Sequence, residues 1–99
     1  MGLRLDLQKL LEEITTNVYF QPPTNINLNY PCIIYNRDMA DTKFADNKPY
    51  AHKRRYMVTV IDKNPDSDIP EKVATLPMSL FSRFYTVDNL NHDVYSVYF

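Results

Sequence analysis

Arg54-Arg55-Tyr56-Met57-Val58-Thr59-Val60-Ile61-Asp62 is the stretch on which the fold turns. Successive side chains of a strand point to opposite faces. Tyr56, Val58 and Val60 therefore share one face, and Met57, Thr59 and Ile61 share the other. Apolar residues on both faces predict a central strand, or a strand with one face covered by another subunit.

Upstream, Pro31 opens Cys32-Ile33-Ile34-Tyr35, a short apolar run that predicts a buried strand. Proline is tolerated at the first residue of a strand. Val18-Tyr19-Phe20 is β-branched and aromatic and is stopped by Pro22-Pro23, which predicts a short strand or extended lead-in. Asn25 to Tyr30 alternates, but its three asparagines predict a loop whose Ile26 and Leu28 touch the core. At the start of the chain Leu3, Leu7, Leu10, Leu11 and Ile14 fall on one helical stripe. Asp6, Gln8, Lys9, Glu12 and Glu13 fill the other side, and Thr15-Thr16-Asn17 ends the helix at about residue 15.

Asn36 to Lys53 carries Asp38, Asp41, Asp46, Asn47 and Pro49 among a few apolar residues. It predicts a long irregular connection partly pinned by Phe44, Ala45, Pro49 and Tyr50, of a length usually reserved for functional or disordered segments. Downstream, Asn64-Pro65-Asp66-Ser67-Asp68 is turn chemistry. Asp68 or Ser67 then caps a short helix from Ile69 to about Leu76, with Pro70 in its first turn, Glu71 near its positive end and Pro77 closing it. Phe81 to Val87 and Asp93 to Phe99 form a hairpin around Asp88-Asn89-Leu90-Asn91-His92. Phe81, Arg83, Tyr85 and Val87 fall on one face of the first strand and Phe84 on the other.

The expectation is a single α+β domain over residues 1–99, an α/β-type sandwich. A mainly antiparallel sheet of four to five strands carries the N-terminal helix and the short second helix. The last strand, ending in aromatic residues, leaves an apolar edge that the monomer or a neighbour must cover. Ninety-nine residues suffice for one modest core. No apolar run approaches the roughly 20 residues of a membrane span, and the first residues lack a signal peptide's apolar region.

Chemistry is sparse. Eleven basic against twelve acidic residues leave a formal charge of −1, whereas a dedicated nucleic-acid binder carries excess positive charge. Cys32 is the single cysteine, which excludes an intrachain disulfide and a thiolate zinc site. His52 and His92 sit in polar surroundings without metal-ligand spacing. The segment 62–68 resembles a calcium loop but lacks its glycine and its bidentate glutamate. One glycine in the chain leaves no phosphate cradle. The expectation is a protein that is not an enzyme and holds no cofactor or metal. Eight tyrosines suit an aromatic core, and those outside it suit surfaces that are wet when free and dry when assembled.

Val18 to Pro23, Tyr30 to Tyr35, Phe44-Ala45-Asp46-Asn47 with Pro49-Tyr50, Arg55 to Asp62 and Asp88 to Asp93 together resemble the tail-terminator or tail-completion proteins of long-tailed phages. These are also described as minor capsid or head–tail joining proteins. The resemblance implies a structural virion protein at the head–tail junction, assembled in the host cytoplasm. Its copies form a homo-hexameric ring that caps the tail tube and presents it to the head-completion or connector protein. The partners implied are self, tail tube protein and connector, with no small-molecule substrate and no membrane; DNA would be met only in the ring lumen. The interface candidates, chosen by expected exposure, are Phe44, Asp46, Asn47 and Tyr50, then Arg54 and Arg55, then Tyr95, Tyr98 and Phe99. Two alternatives stand beside this reading. One is a head-completion stopper or adaptor. The other is a small nucleic-acid-binding module using Lys53, Arg54, Arg55 and stacked tyrosines.

Overall fold

The computed structural model describes residues 4–23, 26–45, 48–76 and 78–99, and the side chains of 39–54 lie outside that description. Its elements in chain order are α1 (Arg4–Ile14), β1 (Val18–Phe20), β2 (Cys32–Ala45), β3 (Lys48–Asp62), α2 (Ile69–Ala74), β4 (Ser79–Val87) and β5 (Leu90–Tyr98). They form one five-stranded sheet in the order β1-β2-β3-β5-β4. Every neighbouring pair is antiparallel except β1 with β2, which makes the sheet mixed. The α+β class and the central position of β3 are as the two-faced apolar pattern predicts.

One face of the sheet carries the helices. Ile33 and Tyr35 of β2 meet Val60 and Val58 of β3, and Val58 in turn meets Tyr95 of β5. Leu7 and Leu11 of α1 and Ile69 and Val73 of α2 close over this patch, and Leu7, Leu11 and Val73 are fully buried. Each buried leucine contributes about 1.5–3 kcal/mol relative to exposure. At the rim of the core the Tyr35 hydroxyl donates to the Gln8 amide oxygen and accepts from Arg4 at 3.0 Å. Arg4 also lies over the Phe20 ring, 4.4 Å from its centroid.

The stretch from Asn36 to Lys53 is not an irregular connection. β2 and β3 run on as an antiparallel ribbon from Cys32↔Ile61 to Ala45↔Lys48. Only Arg55 to Asp62 of β3 also pair with β5. The remainder, residues 40–45 with 48–54, is a two-stranded arm of about 20 Å at ~3.3 Å per residue, projecting from a molecule 50 Å long. Apolar alternation reports a buried face, and this ribbon pairs strand with strand without the sheet's apolar pattern. Asp38 is the extra residue of a bulge at the base of the arm, and its carboxylate takes the Arg55 Nε at 2.9 Å. A second irregularity lies between Lys43 and Phe44, opposite Pro49, whose missing N–H suits an edge.

Three finer expectations also shift. The helix after the turn spans Ile69–Ala74; Asp68 is its N-cap residue but makes no side-chain cap bond, while Ser67 Oγ accepts from Ile69 N at 3.3 Å. The hairpin loop shortens to Asp88-Asn89, both at positive φ, 52° and 63°. Asp and Asn enter that region at low cost, so a two-residue turn forms without glycine. Ile26, expected to touch the core, is exposed.

Candidate interaction edge

The expected apolar edge exists but belongs to a different strand. β5, the last strand, is interior, flanked by β3 and β4. β4 takes the edge, parallel to β3 with β5 inserted between them. The signal in the sequence is the Asp88-Asn89 turn, which places β4 beside β5 and leaves its other side unpaired. At the opposite margin of the sheet β1 is only three residues long.

β4 is apolar on both of its faces. Its pairing runs Ser79↔Val97, Leu80↔Ser96 and Phe81↔Tyr95, skips Ser82, and resumes at Arg83↔Val94 and Phe84↔Asp93. The extra residue at Ser82 resets the alternation. Phe81 and Phe84 thus share the helix-bearing face, while Leu80, Arg83, Tyr85 and Val87 share the other. This corrects the expected grouping of Phe81 with Arg83 and Tyr85. Leu80, Phe81 and Phe84 are 61%, 60% and 54% exposed, and Tyr85, Val87 and the adjoining Met78 are exposed as well. Such an edge offers unpaired backbone groups and apolar side chains together, a combination that promotes strand or subunit association. Beneath it Tyr95 supports Phe81 edge-on, with ring centroids 5.6 Å apart.

On the helix-free face a short stack runs across the hairpin. Arg83 lies 5.6 Å from the Tyr85 ring centroid, and Tyr85 stacks on His92 at 4.6 Å with 14° between planes. His92 Nδ1 lies 3.0 Å from the Leu90 carbonyl oxygen, the geometry of a donated hydrogen bond.

At the end of the sheet away from the arm, Asp62, Glu71 and Asp93 line a polar cleft beside Phe84, with Asn64 and Asn91. Burial pushes the Asp93 carboxyl above the usual carboxylate range, opposed by nearby His92. Among the described residues no group of three His, Cys, Asp or Glu side chains is placed to hold a metal ion.

Of the residues chosen from sequence, Asp46 and Asn47 lie outside the described residues. Phe44, Tyr50 and Arg54 sit on the arm's strands, with side chains likewise outside the description. Arg55 is half-exposed at the arm's base; hydrogen bonds to Tyr98 and then Asp38 push its guanidinium further toward the charged form. Tyr98 is half-buried and pairs with Arg55, and Phe99 packs against the core. Tyr95 is buried, so it braces the edge rather than forming its surface. The strand that does form it, β4, is absent from that set. Burial, and secondarily the Asp62 charge, pushes the Cys32 thiol up to about 11, which keeps it protonated and unreactive near neutrality.

No helix among the described residues is long and apolar enough to cross a membrane. No protein-family model matches the chain, and no curated protein matches it significantly.

Proposed function

We propose that this chain is a structural ring subunit of a long-tailed phage, a tail terminator that caps the tail tube and joins it to the head connector. On this reading it carries out no reaction and needs no cofactor. One observation carries the assembly part of the proposal: β4 is a nine-residue edge strand with exposed apolar side chains on both faces. A monomer leaves that edge exposed to aggregation, and a subunit contact covers it. The phage assignment draws on the sequence resemblance of Tyr30 to Tyr35 and Arg55 to Asp62, the two strand segments at the centre of the sheet.

The test is mass photometry of the purified chain across a concentration series, followed by electron microscopy with tail tube protein added. Closed rings, alone or seated on tube ends, are expected. A chain that stays monomeric at high concentration and ignores both tube and connector proteins overturns the proposal. Binding to the connector but not to the tube shifts the role to a head-completion adaptor.

The Arg83–Tyr85–His92 stack on an open sheet face supports a second reading, a single-strand nucleic-acid platform. Salt-sensitive retention of single-stranded DNA, lost on Tyr85→Ala, is its expected signature. No retention at low salt dismisses it.

A further inference from the structure

We infer that the β4 edge, with the carboxylates at its far end, receives the β2–β3 arm of a second copy of this chain. The inference rests on the ring-subunit reading and specifies which surfaces meet.

Three observations converge on that occupant. The first is charge. Lys43, Lys48, Lys53 and Arg54 against Asp41 and Asp46 give residues 40–54 a formal +2, in a chain of −1 overall. The rest of the chain therefore carries −3, and Asp62, Glu71 and Asp93 gather beside Phe84 at the β4 edge. A net-positive arm and a cleft lined by three carboxylates select each other and speed encounter.

The second is shape. Exposed apolar side chains lie on both faces of β4, Phe81 and Phe84 on one and Leu80, Tyr85 and Val87 on the other, beside an unpaired backbone edge. A two-stranded arm laid along that edge reaches both faces. The arm has the converse need, because a lone two-stranded ribbon is marginally stable in water.

The third is direction. The arm leaves the sheet beyond Arg55, whereas Asp62 ends β3 at the other extreme. Fifteen residues of β3 at ~3.3 Å each separate the arm's end from the cleft by about 50 Å. An arm therefore cannot fold back into its own cleft. The contact joins unlike surfaces head to tail, and such contacts close into rings when the rotation allows and run on as filaments when it does not.

The experiment pairs two charge reversals in the full chain. Lys53→Glu with Arg54→Glu makes the arm acidic, and Glu71→Lys with Asp93→Lys reverses the net charge of the cleft lined by Asp62, Glu71 and Asp93. Mass photometry should show each variant at least tenfold weaker in assembly than the parent chain. An equimolar mixture should recover assembly, since each variant's altered surface complements the other's. Thermal melts establish that both variants fold; if the double cleft change does not, Glu71→Lys alone, on an exposed helix position, replaces it. A parent chain that forms rings unaffected by either reversal overturns this inference while leaving the ring reading intact. So does a folded pair that fails to recover on mixing. An arm reversal that spares assembly and abolishes DNA retention gives the arm to nucleic acid instead. A parent chain that never assembles removes the ring reading itself.

Discussion

Met78 sits at φ 60° on an exposed corner between α2 and β4. A side chain in the left-handed region costs about 1–2 kcal/mol per residue, and glycine avoids that cost. Met78→Gly should therefore raise stability by about 0.5–1 kcal/mol, allowing for glycine's greater freedom in the unfolded chain. A thermal melt should move up by a few degrees; an unchanged or lowered midpoint would count against strain at this corner. Cys32 makes an alkaline prediction. Its folded thiol is pushed up to about 11 by burial, against about 8.5 in an unfolded chain. The stability it contributes is complete below the unfolded value and is lost as pH rises toward 11. Urea titrations from pH 8 to 11 should show a smaller fall for Cys32→Ala than for the parent chain. Tyr35 and Tyr95, also raised chiefly by burial, keep part of the decline in both proteins. At this scale the sequence is informative: a cysteine followed by Ile33 and Ile34 reads as a buried core residue and is one. Met78 gave no warning, because a positive φ at a non-glycine position follows from the tertiary path of the chain.

Among the elements, α1 is where periodicity and packing agree most closely. Leu7 and Leu11 come from the single apolar stripe and are fully buried on the sheet. Leu11→Ala should destabilise by about 2–5 kcal/mol through lost transfer and a residual cavity. An unfolding free energy from urea titration lowered by less than about 1 kcal/mol would mean the site collapses around the smaller side chain. The β2–β3 arm marks the opposite case. Inside the body, burial imprints alternation on Tyr56, Val58 and Val60; beyond Arg55 the ribbon pairs Asp41 with Lys53 and Thr42 with His52, and no apolar alternation marks it. The apolar edge belongs to β4 and not, as expected, to the last strand, for a related reason. Its apolar residues resemble those of an interior strand, and only the Asp88-Asn89 turn, together with the pairing of β5 to β3, shows which strand is outermost. Apolar pattern identifies strands; strand order depends on connections.

For the whole molecule, the architecture separates two hairpins, β2–β3 and β4–β5, each closed by a short connection, and joins them along β3 and β5 through the segment that holds α2. The same layout sets the order of events when the chain folds. Hairpins form in roughly 1–10 μs, whereas the β3–β5 seam requires a longer loop to close before its contacts are made. The seam is therefore the expected slow step, with interactions across it formed in the folding transition state. Val58→Ala or Val97→Ala should slow refolding by most of their equilibrium effect. Changes in α1, such as Leu11→Ala, should act mainly on unfolding, because the surface that α1 covers exists only once the seam has closed. Stopped-flow chevrons of these variants measure the partition, and equal fractional effects at the seam and at α1 would refute the order. The strand with the most exposed apolar surface belongs to a hairpin that forms ahead of the seam, so that surface faces solvent while the body is still open.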